Sequence, residues 1–235
     1  MRVRKEEVDT RAYKKAVGML QWLSHCTRPD ITLAVNEVSK FSKRPASRHW
    51  TAVKRIMRYL AGTKELGIGY QQGSRKQLSL HAYVDSDYAG DPDTRRSTYG
   101  YLVFLAGGPV AWRSKQQQHV ARSTAEAEYC AIAESGLDIV HLRMVLTQMR
   151  VLPQDYTVVV ENDNKSALAM AGDTGPCHNT RHVDVKYHWI REAIENDVIK
   201  VVYSQSNELC ADALTKPLGA TQFIYLRNMF MMKTC

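Results

Sequence analysis

At Leu78 the hydrophobic period of this chain changes, and the change coincides with a reversal of charge. Before it, apolar residues recur at helical spacing; after it they alternate, as strands require. Residues 1–70 hold 15 Lys/Arg against 6 Asp/Glu, a net +9, whereas residues 78–235 hold 15 against 18, a net −3. The 235 residues therefore divide into a small basic helical segment and a larger, slightly acidic α/β segment. Gly73-Ser74-Arg75-Lys76-Gln77 reads as a linker, so the expected units are 1–72 and 78–235.

Several classes are excluded at once. Hydrophobic residues at 44% and charged residues at 24% are ordinary for a globular protein and rule out wholesale disorder. The longest uncharged stretch, which ends at Arg113, is too short and too rich in Gly and Pro for a bilayer span of about 20 residues, so no membrane partner is expected. The first residues run straight into charge without an apolar core, which predicts an intracellular protein with no signal peptide. Cys26, Cys130, Cys177, Cys210 and Cys235 are scattered with no Cys-x-x-Cys pair, so neither a disulfide framework nor a cysteine zinc site is encoded.

The basic segment predicts helices over Tyr13–Leu23, Asp30–Phe41 and Trp50–Leu60. In the last, Trp50, Val53, Ile56, Met57 and Leu60 share one arc, and Arg48, Lys54, Arg55 and Arg58 the opposite one. That cationic face either grips an anion or is simply solvated. Strands follow over Leu78–Asp85, Thr98–Ala106 and Val110–Ala121. A Ser-x-x-Glu capping box at Ser123-Thr124-Ala125-Glu126 then opens a long helix reaching about Met149. A Val-rich strand over Thr157–Glu161, a short helix from Asn164, a Gly-rich loop, a helix over His182–Glu195, a strand over Val198–Ser204 and a last helical stretch from Asn207 complete the pattern. The order βββαβααβα predicts an α/β fold, a mixed five-stranded sheet with flanking helices, preceded by a small all-α segment.

Three acids resist a bland reading. Glu128 projects along the stripe formed by Ala131, Ile132, Ser135, Ile139, Leu142 and Leu146, while Glu126 falls on the opposite side of the helix. A carboxylate aimed at a core needs a cation or a proton. Asp85 ends the first strand and Asp163 the Val-rich one. Acids at neighbouring strand exits, with one from a helix packed across them, would converge into an oxygen-donor site suited to Mg²⁺. An EF-hand reading of Asp85-x-Asp87-x-Ala89-Gly90 fails, because the fifth position is Ala, the twelfth is Arg96 and a strand precedes it. Tyr83-Val-Asp-Ser also lacks the second Asp of a polymerase Tyr-x-Asp-Asp motif.

Six motifs occur in order: Thr27-Arg-Pro-Asp-Ile, His49-Trp-x-Ala-Val-Lys-Arg-Ile-x-Arg-Tyr-Leu-x-Gly-Thr, Asp85-Ser-Asp-Tyr-Ala-Gly-Asp, Ser123-Thr-x-Glu-Ala-Glu-Tyr, Asp163-Asn-x-Ser-Ala and Ala211-Asp-x-Leu-Thr-Lys-Pro. Together they resemble the C-terminal part of a copia-type retrotransposon polyprotein, from about Tyr13 to beyond Pro217. The resemblance implies that the helical segment is the tail of the reverse transcriptase and that residues 78 onward are its ribonuclease H domain. It implies metal-binding, catalytic roles for Asp85, Glu128, Asp163 and Asp212, the last of which the residue pattern alone does not single out.

The implied chemistry is two-metal hydrolysis of the RNA strand of an RNA–DNA hybrid. Two Mg²⁺ ions, with Mn²⁺ as a substitute, would share Asp85, and no protein nucleophile or small-molecule cofactor is required. The implied partners are the hybrid and the remainder of a reverse transcriptase, in the cytoplasm or a virus-like particle. Contacts to 2′-hydroxyls would come from Ser123, Thr124 and Asn164, although plain helix capping accounts equally well for Ser123. Lys165 stands where copia-type sequences usually have Gln, which favours a phosphate contact. Arg181 and His182 at a helix start, and Lys54, Arg55 and Arg58, would touch the backbone of the duplex.

Other departures and rivals bear on this reading. Tyr88 replaces a common Trp, and no His precedes the last aspartate in Ser204-Gln-Ser-Asn-Glu-Leu-Cys, which puts in doubt any role that cellular ribonucleases H give that His. A zinc site from Cys177, His178, His182 and His188 matches no finger spacing. A strand transferase sharing this sheet needs the order Asp, Asp, Glu, and here the Glu comes second. The standing alternative is a catalytically silent nucleic-acid-binding or assembly module.

Overall fold

A computed structural model describes residues 8–70, 78–172 and 189–233. The chain forms two compact units, Met1–Gly69 with Met231–Cys235, and Tyr70–Phe230. Among the described residues, no helix is long and apolar enough to cross a membrane.

In the first unit, α1 (Thr10–Cys26) begins at Asp9, whose carboxylate accepts hydrogen bonds from the Arg11 and Ala12 amides at 2.8 and 3.2 Å. This side-chain cap replaces partners that the first turn otherwise lacks. The helix expected over Asp30–Phe41 is split into a 3-10 turn (Pro29–Ile31) and α2 (Thr32–Ser39), leaving Ala34 and Phe41 exposed. α3 spans Ser47–Gly62. Tyr13, Val17, Leu20, Val35, Val53 and Ile56 form the core, and the Tyr13 hydroxyl donates to the Val38 carbonyl at 2.7 Å. Lys54, Arg55 and Arg58 lie exposed on α3, as expected, but Met57 is exposed with them.

The Thr27-Arg-Pro-Asp motif has a structural origin. The buried Arg28 guanidinium meets the Asp30 carboxylate in a two-pronged contact at 2.9 and 2.7 Å, and also donates to the Thr63 carbonyl and hydroxyl. The Tyr59 hydroxyl donates to the same carboxylate at 2.7 Å. One network thus ties the turn before α2 to the end of α3. Removing one partner of a buried ion pair strands the other charge, so Arg28→Met is expected to cost about 3 kcal/mol or more in chemical denaturation of this unit. Indistinguishable unfolding curves would show that the pair adds no stability.

The second unit is built on β2 (Leu80–Asp87), β3 (Thr98–Leu105), β4 (Gly108–Gln116), β5 (Val158–Asn162) and β6 (Ile199–Tyr203), in the order β4-β3-β2-β5-β6. β3 is antiparallel to β2 and β4, while β5 runs parallel to β2 and β6 parallel to β5. Ala106 and Gly107, both at positive φ, make the two-residue turn joining β3 to β4, the geometry that matches strand twist. Parallel strands need crossovers. α4 (Thr124–Gln148) lies between β4 and β5 in sequence, and α5 (Lys165–Gly172) with α6, described over 189–195, lies between β5 and β6. This is the mixed five-stranded sheet that the order of elements implied, and its strand order fits the ribonuclease H domain that the resemblance implied.

Alternation puts Leu80, Ala82 and Val84 of β2 on the face covered by α4. The helix meets them with Ala131, Ile132, Ser135, Ile139 and Leu146, all buried, so the stripe read from its spacing is the packing face. On the same strand Asp85 pairs across from Gly100 of β3. A Cβ at Gly100 would lie 2.8 Å from the Leu214 Cβ, so only glycine lets the 3-10 helix Cys210–Leu214 close on the sheet beside Asp85. The last helical stretch thus resolves into this short helix and a separate α7 (Ala220–Arg227). A further pairing was not legible in the sequence: β1 (Leu66–Gly67) runs antiparallel to β7 (Met232–Lys233) within the first unit.

Candidate metal centre

Asp85 near the end of β2, Glu128 one turn into α4 and Asp163 just past β5 bring one carboxylate oxygen each to within 4.8 Å of one another. Asp85 and Glu128 are buried, and Asp163 is half-buried. The three acids come from a strand, a helix and a strand exit, so the parallel β2–β5 pairing and the packing of α4 assemble them. Asp212 joins from the 3-10 helix, also buried, on the Asp85 side of the group.

Each carboxylate is held by a neighbour. The fully buried Asn162 amide donates to Glu128 Oε2 and to the Val84 carbonyl, both at 2.9 Å, and its oxygen accepts from the Asn164 amide at 3.0 Å. It therefore clamps β5, β2 and α4 at one point. The Ser206 hydroxyl donates to Asp163 Oδ2 at 2.6 Å. The Thr215 hydroxyl donates to Asp85, and the Lys216 ammonium stands 3.0 Å from Asp212 and 3.9 Å from Asp85. Sequence reasoning missed Asn162, Ser206, Thr215 and Lys216 as supports. Asn162, a polar residue ending an apolar strand, and the Thr-Lys of the last motif were the available signals.

Burial and mutual repulsion push protons onto the cluster. Glu128 is raised from 4.5 to about 9, first by desolvation and then by the charge of Asp85. Asp212 is raised from 3.8 to about 7 for the same reasons, against the opposing pull of Lys216. Desolvation also raises Asp85, with Lys216 and Thr215 acting against it. Because the folded values lie above the unfolded ones, the stability these protons confer is complete below the unfolded values and is lost as pH rises through the folded ones. The melting temperature in EDTA is therefore expected to fall between about pH 4 and pH 9, and the gap to the melting temperature in Mg²⁺ to widen over the same range. A pH-independent gap in scanning calorimetry would contradict this assignment of the protons.

The expected nucleic-acid residues lie on several elements. Ser123 caps α4, its hydroxyl accepting from the Glu126 amide at 3.1 Å, and Ser123 and Thr124 are both exposed. Glu126 lies across the helix from Glu128 but is buried rather than solvent-facing, because its carboxylate turns back to accept from the Arg122 amide at 2.9 Å. Asn164 caps α5 through the Ala167 amide at 3.0 Å, and Lys165 lies 4.8 Å over the Tyr203 ring. Lys54, Arg55 and Arg58 belong to the other unit. Arg181 and His182, and the zinc reading of Cys177, His178, His182 and His188, lie outside the described residues.

No family model matches the chain. It is 41% identical over 220 residues to the retrovirus-related Pol polyprotein from transposon TNT 1-94 of Nicotiana tabacum, covering 94% of the chain and 16% of that protein. It is 38% identical over 215 residues to the corresponding polyprotein from transposon RE2 of Arabidopsis thaliana, covering 92% and 14%. Among solved structures it resembles the foamy viral protease–reverse transcriptase in complex with double-stranded DNA, with a TM-score of 0.52 and 12% identity over 83% of this chain and 32% of that one, a likeness of fold alone. The sheet order is that of a ribonuclease H-like fold. The chain belongs to the copia-type retrotransposon Pol polyprotein family, of whose compared members it spans 14–16%.

Proposed function

We propose that the second unit is a divalent-metal-dependent ribonuclease H that hydrolyses the RNA strand of RNA–DNA hybrids as part of a retrotransposon reverse transcriptase. The observation that carries this reading is the convergence of Asp85, Glu128 and Asp163, with Asp212 alongside, from segments far apart in sequence. The donor set fits the metal: it is all carboxylate oxygen, the choice of a hard cation such as Mg²⁺ or Mn²⁺, and its raised proton affinities mark negative charge awaiting a counter-ion. When bound, two such ions supply an activated water and stabilise the leaving 3′-oxygen.

The chain itself orients the donors. Asn162 fixes Glu128, Ser206 fixes Asp163 and Thr215 fixes Asp85, so little reorganisation is left to the moment of binding. Ser123 and Thr124 present hydroxyls and the N-terminus of α4 to a sugar–phosphate backbone, and recognition of 2′-hydroxyls there separates RNA from DNA. Asn164 and the exposed Lys165 extend that surface on α5, with Lys165 toward phosphate. Arg181 and His182 are further backbone contacts in this reading.

A labelled hybrid incubated with Mg²⁺, Mn²⁺ or EDTA tests the reading, with a DNA duplex of the same sequence as control. Metal-dependent loss of the RNA strand alone is expected. Hybrid binding without cleavage would instead identify a catalytically silent nucleic-acid-binding module.

The basic face of α3 adds a second contact to the proposal. Neutralising Lys54, Arg55 and Arg58 together is expected to weaken hybrid binding and to flatten its log–log salt dependence by up to about three units. The rate at saturating hybrid should hold, since the acids are in the other unit. Binding measured at several salt concentrations checks this, and an unchanged slope would leave the face merely solvated.

A further inference from the structure

Asp85 belongs to two groupings of charge, and they are not equivalent. On one side its carboxylate meets Glu128 and Asp163, three acids with ligand atoms within 4.8 Å. On the other, Asp85 and Asp212 share the Lys216 ammonium, at 3.9 and 3.0 Å. A cation in the first grouping meets three carboxylates whose hydrogen-bond partners are uncharged, apart from the Asp85 oxygen near Lys216. A cation between Asp85 and Asp212 would meet an ammonium already bound to the same oxygens, and like charges cannot share that position.

The anchoring of Lys216 makes the exchange mechanically simple. Its backbone amide donates to the Asp212 carbonyl at 3.3 Å, so the turn that carries Asp212 also tethers the lysine. Its side chain is 36% exposed, whereas those of Asp85 and Asp212 are 2% and 3% exposed. The ammonium therefore reaches the buried acids from solvent, and its flexible stem can swing back out without disturbing the Thr215 hydroxyl that holds Asp85.

We propose that Lys216 is an internal stand-in for the second metal ion: the first divalent cation binds at Asp85, Glu128 and Asp163, and the second binds only by displacing the Lys216 ammonium from Asp85 and Asp212. The lysine neutralises the metal-free cluster and at the same time sets the metal concentration at which the centre fills. This inference rests on the two-ion reading of the centre given above.

Titrating the whole chain with Mn²⁺ at constant pH, with unbound Mn²⁺ followed by electron paramagnetic resonance, tests it without reference to turnover. The parent is expected to show two classes of site of unequal affinity. Lys216→Met should tighten the weaker class by roughly tenfold, equivalent to about 1.4 kcal/mol, and leave the tighter one unchanged. Asp212→Asn should remove the weaker class alone. In EDTA, Lys216→Met should melt below the parent, because the acids lose their counter-ion. Should the Met variant misfold by circular dichroism, Lys216→Gln takes its place with the same expectation. An unchanged or weakened second site in a folded variant overturns the role of Lys216 while leaving the two-ion centre standing. A parent that binds no Mn²⁺, or whose binding is indifferent to Asp163→Asn, overturns the reading of the centre itself.

Discussion

Asp85→Asn is expected to reduce hybrid cleavage by about a thousandfold or more, the scale on which loss of one preorganised electrostatic contact to transition-state charge is felt. Asp85 lies at the junction of the centre, within reach of Glu128 and Asp163 on one side and of Lys216 and Asp212 on the other. An amide in its place keeps an oxygen for the Thr215 hydroxyl but removes the charge that would hold a cation. The fold should not suffer, because burial, with the charge of Asp163, already disfavours the charged form of Asp85. In EDTA the variant should melt at the parental temperature or above it. Steady-state cleavage and calorimetry on the same preparation check both halves. Cleavage at the parental rate would remove Asp85 from the centre, and a fall in melting temperature would show that its charge stabilises the metal-free fold.

The two glutamates of Glu-Ala-Glu should separate cleanly. Glu128→Gln is expected to lower cleavage by at least about a hundredfold, since the amide keeps the volume but offers one oxygen and no charge to the site. Glu126→Gln should keep the parental rate and lose about 1 kcal/mol of stability, because the buried Glu126 carboxylate accepts from the Arg122 amide at the start of α4 and is directed away from the Glu128 side of the helix. Burial alone would not distinguish them, as both are within 3% of full burial; the direction of the side chain does. Rates and urea unfolding of the two variants measure the separation. Equal losses of activity would mean that the α4 N-terminus, rather than the Glu128 carboxylate, is what catalysis requires.

Periodicity and local chemistry were enough to locate the main strands and the long helix of this protein, though not the breaks within its shorter helical stretches or the β1–β7 pair. The alternation in β2, the Val-rich β5 and the capping box of α4 are signals written within a few residues, because strand and helix faces repeat at fixed intervals and caps act over three or four positions. The same periodicity aimed Glu128 inward, and position at strand ends marked Asp85 and Asp163. Asp212 entered through resemblance, since an Asp after an Ala in a short helix carries no local mark of burial. Only the tertiary structure decided how the acids are held. Asn162 reaches across to Val84 and Glu128, Thr215 lies 130 residues from Asp85, and Gly100 admits the 3-10 helix that brings Asp212 in. The burial of Glu126 and the pairing of β1 with β7 belong to the same class. Such contacts depend on where separate segments meet in space, and a pattern read along one segment contains no record of its partner across the sheet.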